Sequence, residues 1–433
     1  MLSQEANERL TRSGPGTQMG ELFRRFWLPV ALASEVGGPA AGPARVHVLG
    51  QPFVAFRNDD GTVGLVDAAC PHRLANLFWG RNEGDGLRCV YHGWKFTADG
   101  RCTEQPAEPR PFCDRVRVGA HPVREAAGLL WAYLGPAAEE PPFPRFEFTE
   151  LPASHVYASK RLQRCNWMQN LEGEIDSAHV QQLHQHAVQR IVGGPRMAPP
   201  RYQIEPSPAG LLAMAVREVP DEPEREYWRV TPYLMPSFTL IPMPSGEPQH
   251  FTGAIPRDDL TMWGFTVTWH PDRPLTGEEL RVCREDDYLH VRVDPDTFVP
   301  LVNHLTDYDI DRAAQAAGSM TGIPGLRTQD LAVQEDQAGP LTPRHREQLG
   351  STDRAIVATR RLLLDTAEAL SAGVAPSQPH AAGAYRCRSV AVATARGTGW
   401  AEVVRGAQPE GGGLVPADAD AADATDTADA AAG

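Results

Sequence analysis

Two short pairs, Cys70-Pro71-His72 and Cys89-Val90-Tyr91-His92, constrain this chain more than anything else in it. Each joins one thiol and one imidazole on a segment with a tight-turn residue, Pro71 or Gly93, and sixteen residues lie between the pairs. Two such loops can clamp one object, and a set of two Cys and two His suits soft-to-borderline metals. Zinc accepts the same donors, but finger-type spacing groups the two cysteines together and the two histidines together. Here each loop supplies one of each. A two-iron cluster matches that arrangement: Cys70 and Cys89 hold one iron as thiolates, and His72 and His92 hold the other as neutral imidazoles. Replacing two thiolates by imidazoles removes negative charge and raises the reduction potential. Zinc remains the alternative. Cys102 and Cys113 have no histidine at a matching spacing.

The flanking sequence predicts what carries these loops. From Ala44 to Tyr133, β-branched runs alternate with Gly, Asn and Asp turns, and Asp60-Gly61 and Asp99-Gly100 are hairpin signals. Residues 44–145 therefore read as a small antiparallel β domain, closed by the proline-rich Glu140–Pro144. Residues 1–43, with a short amphipathic helix in Gly20–Val30, are expected to pack on both domains. At 433 residues the chain is too long for one core. Residues 146–405 form the second domain. Helical patterns cover Asn166–His184, Gly277–Val291, Arg327–Gln337 and Ser351–Ala372. Strands are predicted at Tyr202–Gln203, Leu211–Val219, Tyr227–Thr231, Ser237–Pro242 and Met262–His270. The fold class is α+β, with an antiparallel sheet covered by helices. The Ala- and Asp-rich residues 406–433 are expected to be a disordered acidic tail, because they cannot bury enough apolar surface to offset chain entropy.

The formal charge of −14 and the lack of a basic patch exclude nucleic acid as a partner. The longest apolar stretch, Ala126–Ala138, contains Tyr133 and Pro136 and cannot span a bilayer. Met1–Thr17 has no apolar signal region, so a cytoplasmic location is expected. Seven cysteines in a reducing compartment should be thiols and metal ligands, not a disulfide framework.

A second constellation lies in NWMQNLEGEIDSAHVQQLH, residues 166–184. Two histidines with a carboxylate make a facial set that leaves open positions on a non-haem iron. Asp176 and His179 share a helix face at i, i+3. His179 and His184 do not, since five residues turn a regular helix by about 500° and leave the two roughly 140° apart. They can meet only if the helix widens into a π-bulge or ends between them. His186 fits a regular helix better and is the rival. The carboxylate must come from elsewhere in the chain, and Asp330 and Asp336 are both open on ligand chemistry.

CPHRLANLFWG and LRCVYHGWKF resemble the Rieske motif, C-x-H and C-x2-H, of aromatic-ring-hydroxylating oxygenases. Together with NWMQNLEGEIDSAHVQQLH and TGIPGLRTQDLAVQE, they resemble the oxygenase (alpha) subunits of the phthalate 4,5-dioxygenase-like branch, over Gly20 to Leu364. Ala75 and Tyr91 stand where respiratory Rieske proteins carry a disulfide, so the soluble type is implied. The resemblance implies one [2Fe–2S] cluster and one mononuclear Fe(II) per chain. Its D-x2-H-x4-H pattern maps onto Asp176, His179 and His184, and its downstream acid, with a glutamate five positions on, maps onto Asp330. It implies that Asp176 bridges a Rieske histidine of one subunit to an iron-binding histidine of the next, within a head-to-tail homotrimer. Electrons would come from NADH through a separate reductase carrying FMN and a [2Fe–2S] centre. The implied reaction is oxygenation by O2 of an aromatic substrate, carboxylated by expectation, giving a dihydrodiol, a phenol or a demethylated aryl ether. Arg217 and Arg229 are candidates for the carboxylate, and Phe238 and Trp263 for stacking a ring. Two other readings stand beside this one: a Rieske electron carrier with a non-catalytic second domain, and a zinc-binding interaction module. The chain departs from the family at Leu74 and Asn76, where Gly and Ser are usual, and at Gln181 and Gln182 before His184.

Overall fold

The structure is a computed structural model describing residues 2–185 and 197–415. Its first helices, Gln4–Thr11 and Gln18–Phe23, are capped by Ser3 and Thr17, whose hydroxyls accept the Ala6 and Gly20 N–H groups. They bury Leu10, Met19, Leu22 and Phe23, and the Phe23 ring meets Trp167 edge-on at 4.8 Å. Strand Trp27–Leu32 then pairs antiparallel with Leu129–Tyr133, which pairs with Val123–Ala126.

Two four-stranded antiparallel sheets carry the Cys/His loops. One is built from Ala44–Val48, Gln51–Arg57, Val63–Asp67 and Ala120–His121. The other consists of the short strands Arg81–Asn82, Leu87–Arg88, Lys95–Phe96 and Cys102–Glu104. Both predicted Asp-Gly turns are present, with Gly61 and Gly100 at φ +85° and +83°. At Gly100 a Cβ would lie 2.3 Å from the Val118 carbonyl oxygen, so the turn needs glycine for space as well as for its left-handed backbone.

The second domain is an eight-stranded antiparallel sheet. Its path runs Val156–Gln163, Met262–Trp269, Gln249–Pro256, Phe238–Ile241, Glu222–Leu234, Gly210–Val219 and Arg201–Ser207, and Val390–Ala395 pairs alongside Glu222–Leu234. Helices Trp167–Ile175, Leu326–Glu335 and Arg354–Ser371 pack about it. The α+β class and the order of the two β-rich units are as the sequence predicts. Helix Gly277–Glu285 stops short of the predicted Val291, because the chain turns at Asp287 with φ +48°.

One buried ion cluster ties three of these pieces together. The Glu172 carboxylate accepts from Arg344 Nε and Nη2, both at 2.9 Å, and from Arg360 Nε at 2.6 Å, while Arg344 Nη1 also reaches Asn7 Oδ1 at 3.2 Å. Burial pushes the Glu172 carboxyl up, but the two guanidiniums outweigh burial and hold it below its ordinary value. Glu172→Leu leaves the buried Arg344 guanidinium with only Asn7 among the described residues, while Arg360 keeps Glu347 at 2.6 and 3.0 Å, and the loss is expected to destabilise the fold by about 3–5 kcal/mol in chemical denaturation.

Residues 406–415, expected to belong to a disordered tail, are instead packed on the fold. Leu414 is fully buried, and Gln408 exchanges hydrogen bonds with the Arg388 backbone at 3.0 and 3.1 Å. A buried leucine and a backbone-matched amide give residues 406–415 a packed place on the fold. The repeat itself lies outside the described residues. No described helix is long and apolar enough to cross a membrane.

Candidate metal centres

The two Cys/His loops are built alike. The Cys70 N–H donates to the Ala75 carbonyl and the Leu74 N–H returns to that of Cys70, both at 2.9 Å. In the other loop the Cys89 N–H donates to Trp94 at 2.8 Å and the Gly93 N–H to Cys89 at 3.0 Å. Each turn closes through one left-handed residue, Leu74 at φ +59° and Gly93 at φ +76°. The usual glycine of the first loop is thus replaced by a residue that pays for its side chain in backbone strain. Cys70 and Cys89 are buried among Leu77, Leu87, Trp94 and Phe96. His72 and His92 sit half-buried above them with ring centres 4.4 Å apart, and His72 lies flat on Trp94.

These residues fit an N,S-ligated cluster. Buried thiols face one side and solvent-edge imidazoles the other, and His92 Nδ1 is buried without a partner among the described residues. Burial, then proximity to Cys89, pushes the Cys70 thiol up to about 11, so a cation is needed to hold it as thiolate. All seven cysteines are free, and Ala75 and Tyr91 offer no bridge between the loops.

The second constellation departs from the predicted continuous helix. Asn166 caps helix Trp167–Ile175, which ends at Asp176 with ψ 102°. Ser177 is pinned from outside. Its N–H donates to the Tyr202 hydroxyl at 3.0 Å, Arg217 Nη2 donates to its carbonyl at 2.8 Å, and Arg229 Nε donates to its hydroxyl at 3.1 Å. A new one-turn helix, Val180–Leu183, follows, with His179 and His184 as its two caps. No π-bulge is involved. The break brings His179 Nε2 and His184 Nε2 to 3.3 Å from each other.

Asp330, on helix Leu326–Glu335, completes the group. Its Oδ1 lies 3.0 Å from His184 Nε2 and 3.6 Å from His179 Nε2, and one ligating atom from each of the three falls within 4.8 Å of the others. Asp336 caps that helix in an exposed position outside the group, and His186 lies outside the described residues. Gln329 Nε2 donates to the Ile323 carbonyl, which turns its Oε1 toward His184 Nδ1 at 2.8 Å. That acceptor keeps the proton on Nδ1 and leaves the Nε2 lone pair for a metal. On the other ring, Asp176 Oδ2 faces His179 Nδ1 at 3.6 Å. Burial disfavours the His179 cation, but Asp176 and Asp330 outweigh it and push the imidazole up to about 10. Asp330 is likewise buried, yet His184, His179 and Arg327 hold it far below the usual carboxylate range. The pocket therefore attracts positive charge strongly.

The four substrate candidates separate. Arg229 lines the cavity that contains His179, His184 and Asp330. Arg217 does not line it; it is 2% exposed and holds the Ser177 carbonyl. Phe238 belongs to the core, packed against Trp131, Phe146 and Phe251. Trp263 donates to the His47 carbonyl of the first domain at 2.7 Å and lies beneath the Lys160 ammonium. Neither aromatic reaches the cavity, because each already fills an apolar contact elsewhere. Gln329, Tyr202 and Ser177 escaped sequence reasoning, since nothing local marks residues that act by pinning others.

Residues 26–122 match the family described as a Rieske [2Fe-2S] domain, and residues 132–403 match the LigXa C-terminal domain-like family. The chain is 36% identical over 399 residues to the phthalate 4,5-dioxygenase oxygenase subunit of Pseudomonas putida, covering 86% of this chain and 88% of that one. The chain belongs to the Rieske oxygenases. Other members of the family are the 3-chlorobenzoate-3,4-dioxygenase oxygenase subunit of Comamonas testosteroni (37% identical, 83% and 87% covered) and the 5,5'-dehydrodivanillate O-demethylase oxygenase subunit of Sphingobium sp. (34%, 87% and 83%). NdmA of Pseudomonas putida CBB5 shares the fold at TM-score 0.57 and 18% identity, covering 84% of this chain and 96% of that one. A Rieske oxygenase uses a [2Fe–2S] cluster and a mononuclear iron, and it draws on a separate electron-transfer component to oxidise an aromatic substrate with O2. The electron-carrier and zinc-module readings therefore fall for this oxygenase.

Proposed function

We propose that this oxygenase hydroxylates an aromatic carboxylate, with Cys70, Cys89, His72 and His92 holding the cluster and His179, His184 and Asp330 holding the iron. One observation carries the reading: the two imidazoles and the buried carboxylate converge beside a cavity that also contains Arg229. Among the described residues, two arginines line that cavity. Arg327 is committed to Glu174 and Asp330, whereas Arg229 gives only Nε to Ser177, leaving its fork for a substrate carboxylate. Bound iron supplies oxygen activation and the cluster supplies electrons. The protein's part is to seat the ring, keep His179 and His184 in the metal-binding tautomer, and exclude stray water.

Electron entry is assigned to an NADH-dependent reductase with FMN and a [2Fe–2S] centre. Asp176 is assigned the bridge to a Rieske histidine of the neighbouring subunit in a head-to-tail trimer. The exposed Leu74, Val90 and Tyr91 around His72 and His92 support a protein partner on that tip. Seven free cysteines suit a cytoplasmic protein. The likeness to an O-demethylase subunit favours aryl-ether demethylation as the second reading.

The test is NADH and O2 consumption with a surrogate reductase against phthalate, chlorobenzoates and methoxybenzoates. At least one carboxylate should stimulate coupled turnover. Arg229→Gln should raise KM by about 10–100-fold, the scale of a lost hydrogen bond to a charged group, without altering the cluster's absorption. Stimulation by uncharged arenes alone would remove the carboxylate assignment.

A further inference from the structure

A second cavity lies directly against the one that holds the iron-binding group, and Met243, Pro244, Tyr288 and Leu289 line both. Its inner wall carries a hydrogen-bonded chain that the reaction described so far does not use. Ser159 Oγ meets His290 Nδ1 at 2.6 Å, His290 Nε2 meets Thr268 Oγ1 at 2.7 Å, and Thr268 Oγ1 meets His250 Nδ1 at 2.8 Å. All but Ser159 are buried, with His250 6%, Thr268 1% and His290 3% exposed. Among the described residues, no carboxylate pairs with either imidazole. Burial, aided by Arg327, drives His250 down to about 3, and burial also holds His290 well below its ordinary value. Burial thus favours the neutral form of both rings.

Proton counting then defines what the chain can bind. A neutral imidazole has one N–H and one lone pair, and each hydroxyl has a single proton. If His250 Nδ1–H donates to Thr268, its Nε2 is an acceptor. If the Thr268 hydroxyl donates instead, Nε2 carries the proton and is a donor. Rotation of the Ser159 and Thr268 hydroxyls, with tautomer shifts at both His290 and His250, exchanges the two states without moving a heavy atom. His250 Nε2 has no partner among the described residues, and the ring lines the cavity. The group that answers either state is a hydroxyl, which donates and accepts. A carboxylate is disfavoured, because among the described residues no arginine or lysine lines this cavity and Glu247, Glu278 and Glu279 do.

We propose that this cavity is a second substrate chamber, and that His250 Nε2 binds the hydroxyl on the far ring of a two-ring aromatic acid whose carboxylate sits at Arg229. The inference deepens the carboxylate reading above and rests on it. Met243, unbranched and adaptable, is the shared wall residue best suited to let a ligand extend from one chamber into the other. A site built to bond a hydroxyl rejects the analogue that lacks it, since its own buried polar atom is then left unpaired.

Anaerobic calorimetry on the fully metallated enzyme tests this with three probes: benzoate, biphenyl-3-carboxylate and 4′-hydroxybiphenyl-3-carboxylate. The hydroxylated acid should bind at least tenfold tighter than plain biphenyl-3-carboxylate. His250→Phe, which keeps a ring and removes both nitrogens, should erase that difference while leaving plain biphenyl-3-carboxylate and benzoate unchanged. Thr268→Val, nearly isosteric, should narrow it. Equal affinity of the two biphenyls for the unaltered enzyme overturns the proposal, and so does a His250→Phe variant that weakens all three probes alike. Failure of benzoate to bind the unaltered enzyme marks a different fault, in the carboxylate assignment at Arg229, and the second chamber's substrate falls with it.

Discussion

Asp330→Ala should abolish oxygenation and release the mononuclear iron while leaving the absorption and EPR signals of the [2Fe–2S] cluster intact. Asp330 is the carboxylate within reach of both imidazoles, at 3.0 Å from His184 Nε2 and 3.6 Å from His179 Nε2. Without it the pocket keeps two neutral donors and loses the negative charge that would balance a divalent ion in a buried site. Arg327 does not become an uncompensated charge, since Glu174 still pairs with it, so the fold should survive. Asp330→Asn keeps the shape and an oxygen donor but not the charge, and should retain weakly bound iron with activity reduced by several orders of magnitude. Iron analysis alongside product formation checks both variants. Unchanged iron and turnover in Asp330→Ala would move the carboxylate role elsewhere, with Asp336 the first place to look.

What could be read from the sequence, and what could not, divides along a physical line. The proposed cluster ligands come as short pairs whose turn residues are local, so Cys70, His72, Cys89 and His92 declare themselves together. Strands with continuous apolar runs, such as Leu211–Val219, do the same. Val156–Gln163 did not, because it carries Lys160 and Arg161, whose burial depends on Glu35 and Thr266 far away in the chain. The helix break at Asp176 is hidden for the same reason. Residues 166–184 read as one helix locally, and what ends it is Tyr202, Arg217 and Arg229 gripping Ser177 from 25, 40 and 52 residues along. Geometry alone required that the helix widen or stop between His179 and His184; only tertiary contacts decide that it stops. Phe238 and Trp263 show the converse error, aromatic residues taken for substrate contacts when the core had already claimed them.

Asp176→Asn is expected to leave both metal centres loaded and yet slow electron arrival at the iron by about 10–100-fold or more, the range for loss of an outer partner of a metal-bound histidine. The asparagine can still accept the Ala178 N–H, now bonded at 2.7 Å, so the turn that ends the helix persists. What changes is the group facing His179 Nδ1. A carboxylate there is an acceptor facing the Nδ1–H and holds the ring with Nε2 free for metal; an amide nitrogen opposes donor to donor and favours the wrong tautomer, as in a triad whose aspartate becomes asparagine. The substitution also removes the negative charge that joins His179 to a neighbour's Rieske histidine in the proposed trimer. Stopped-flow reoxidation of the reduced cluster, with substrate and O2 present, reads the electron step directly, and iron analysis of the same sample separates it from ligand loss. Reoxidation at the unaltered rate would deny Asp176 the bridge. Loss of the iron would reduce its role to orienting His179 within one chain.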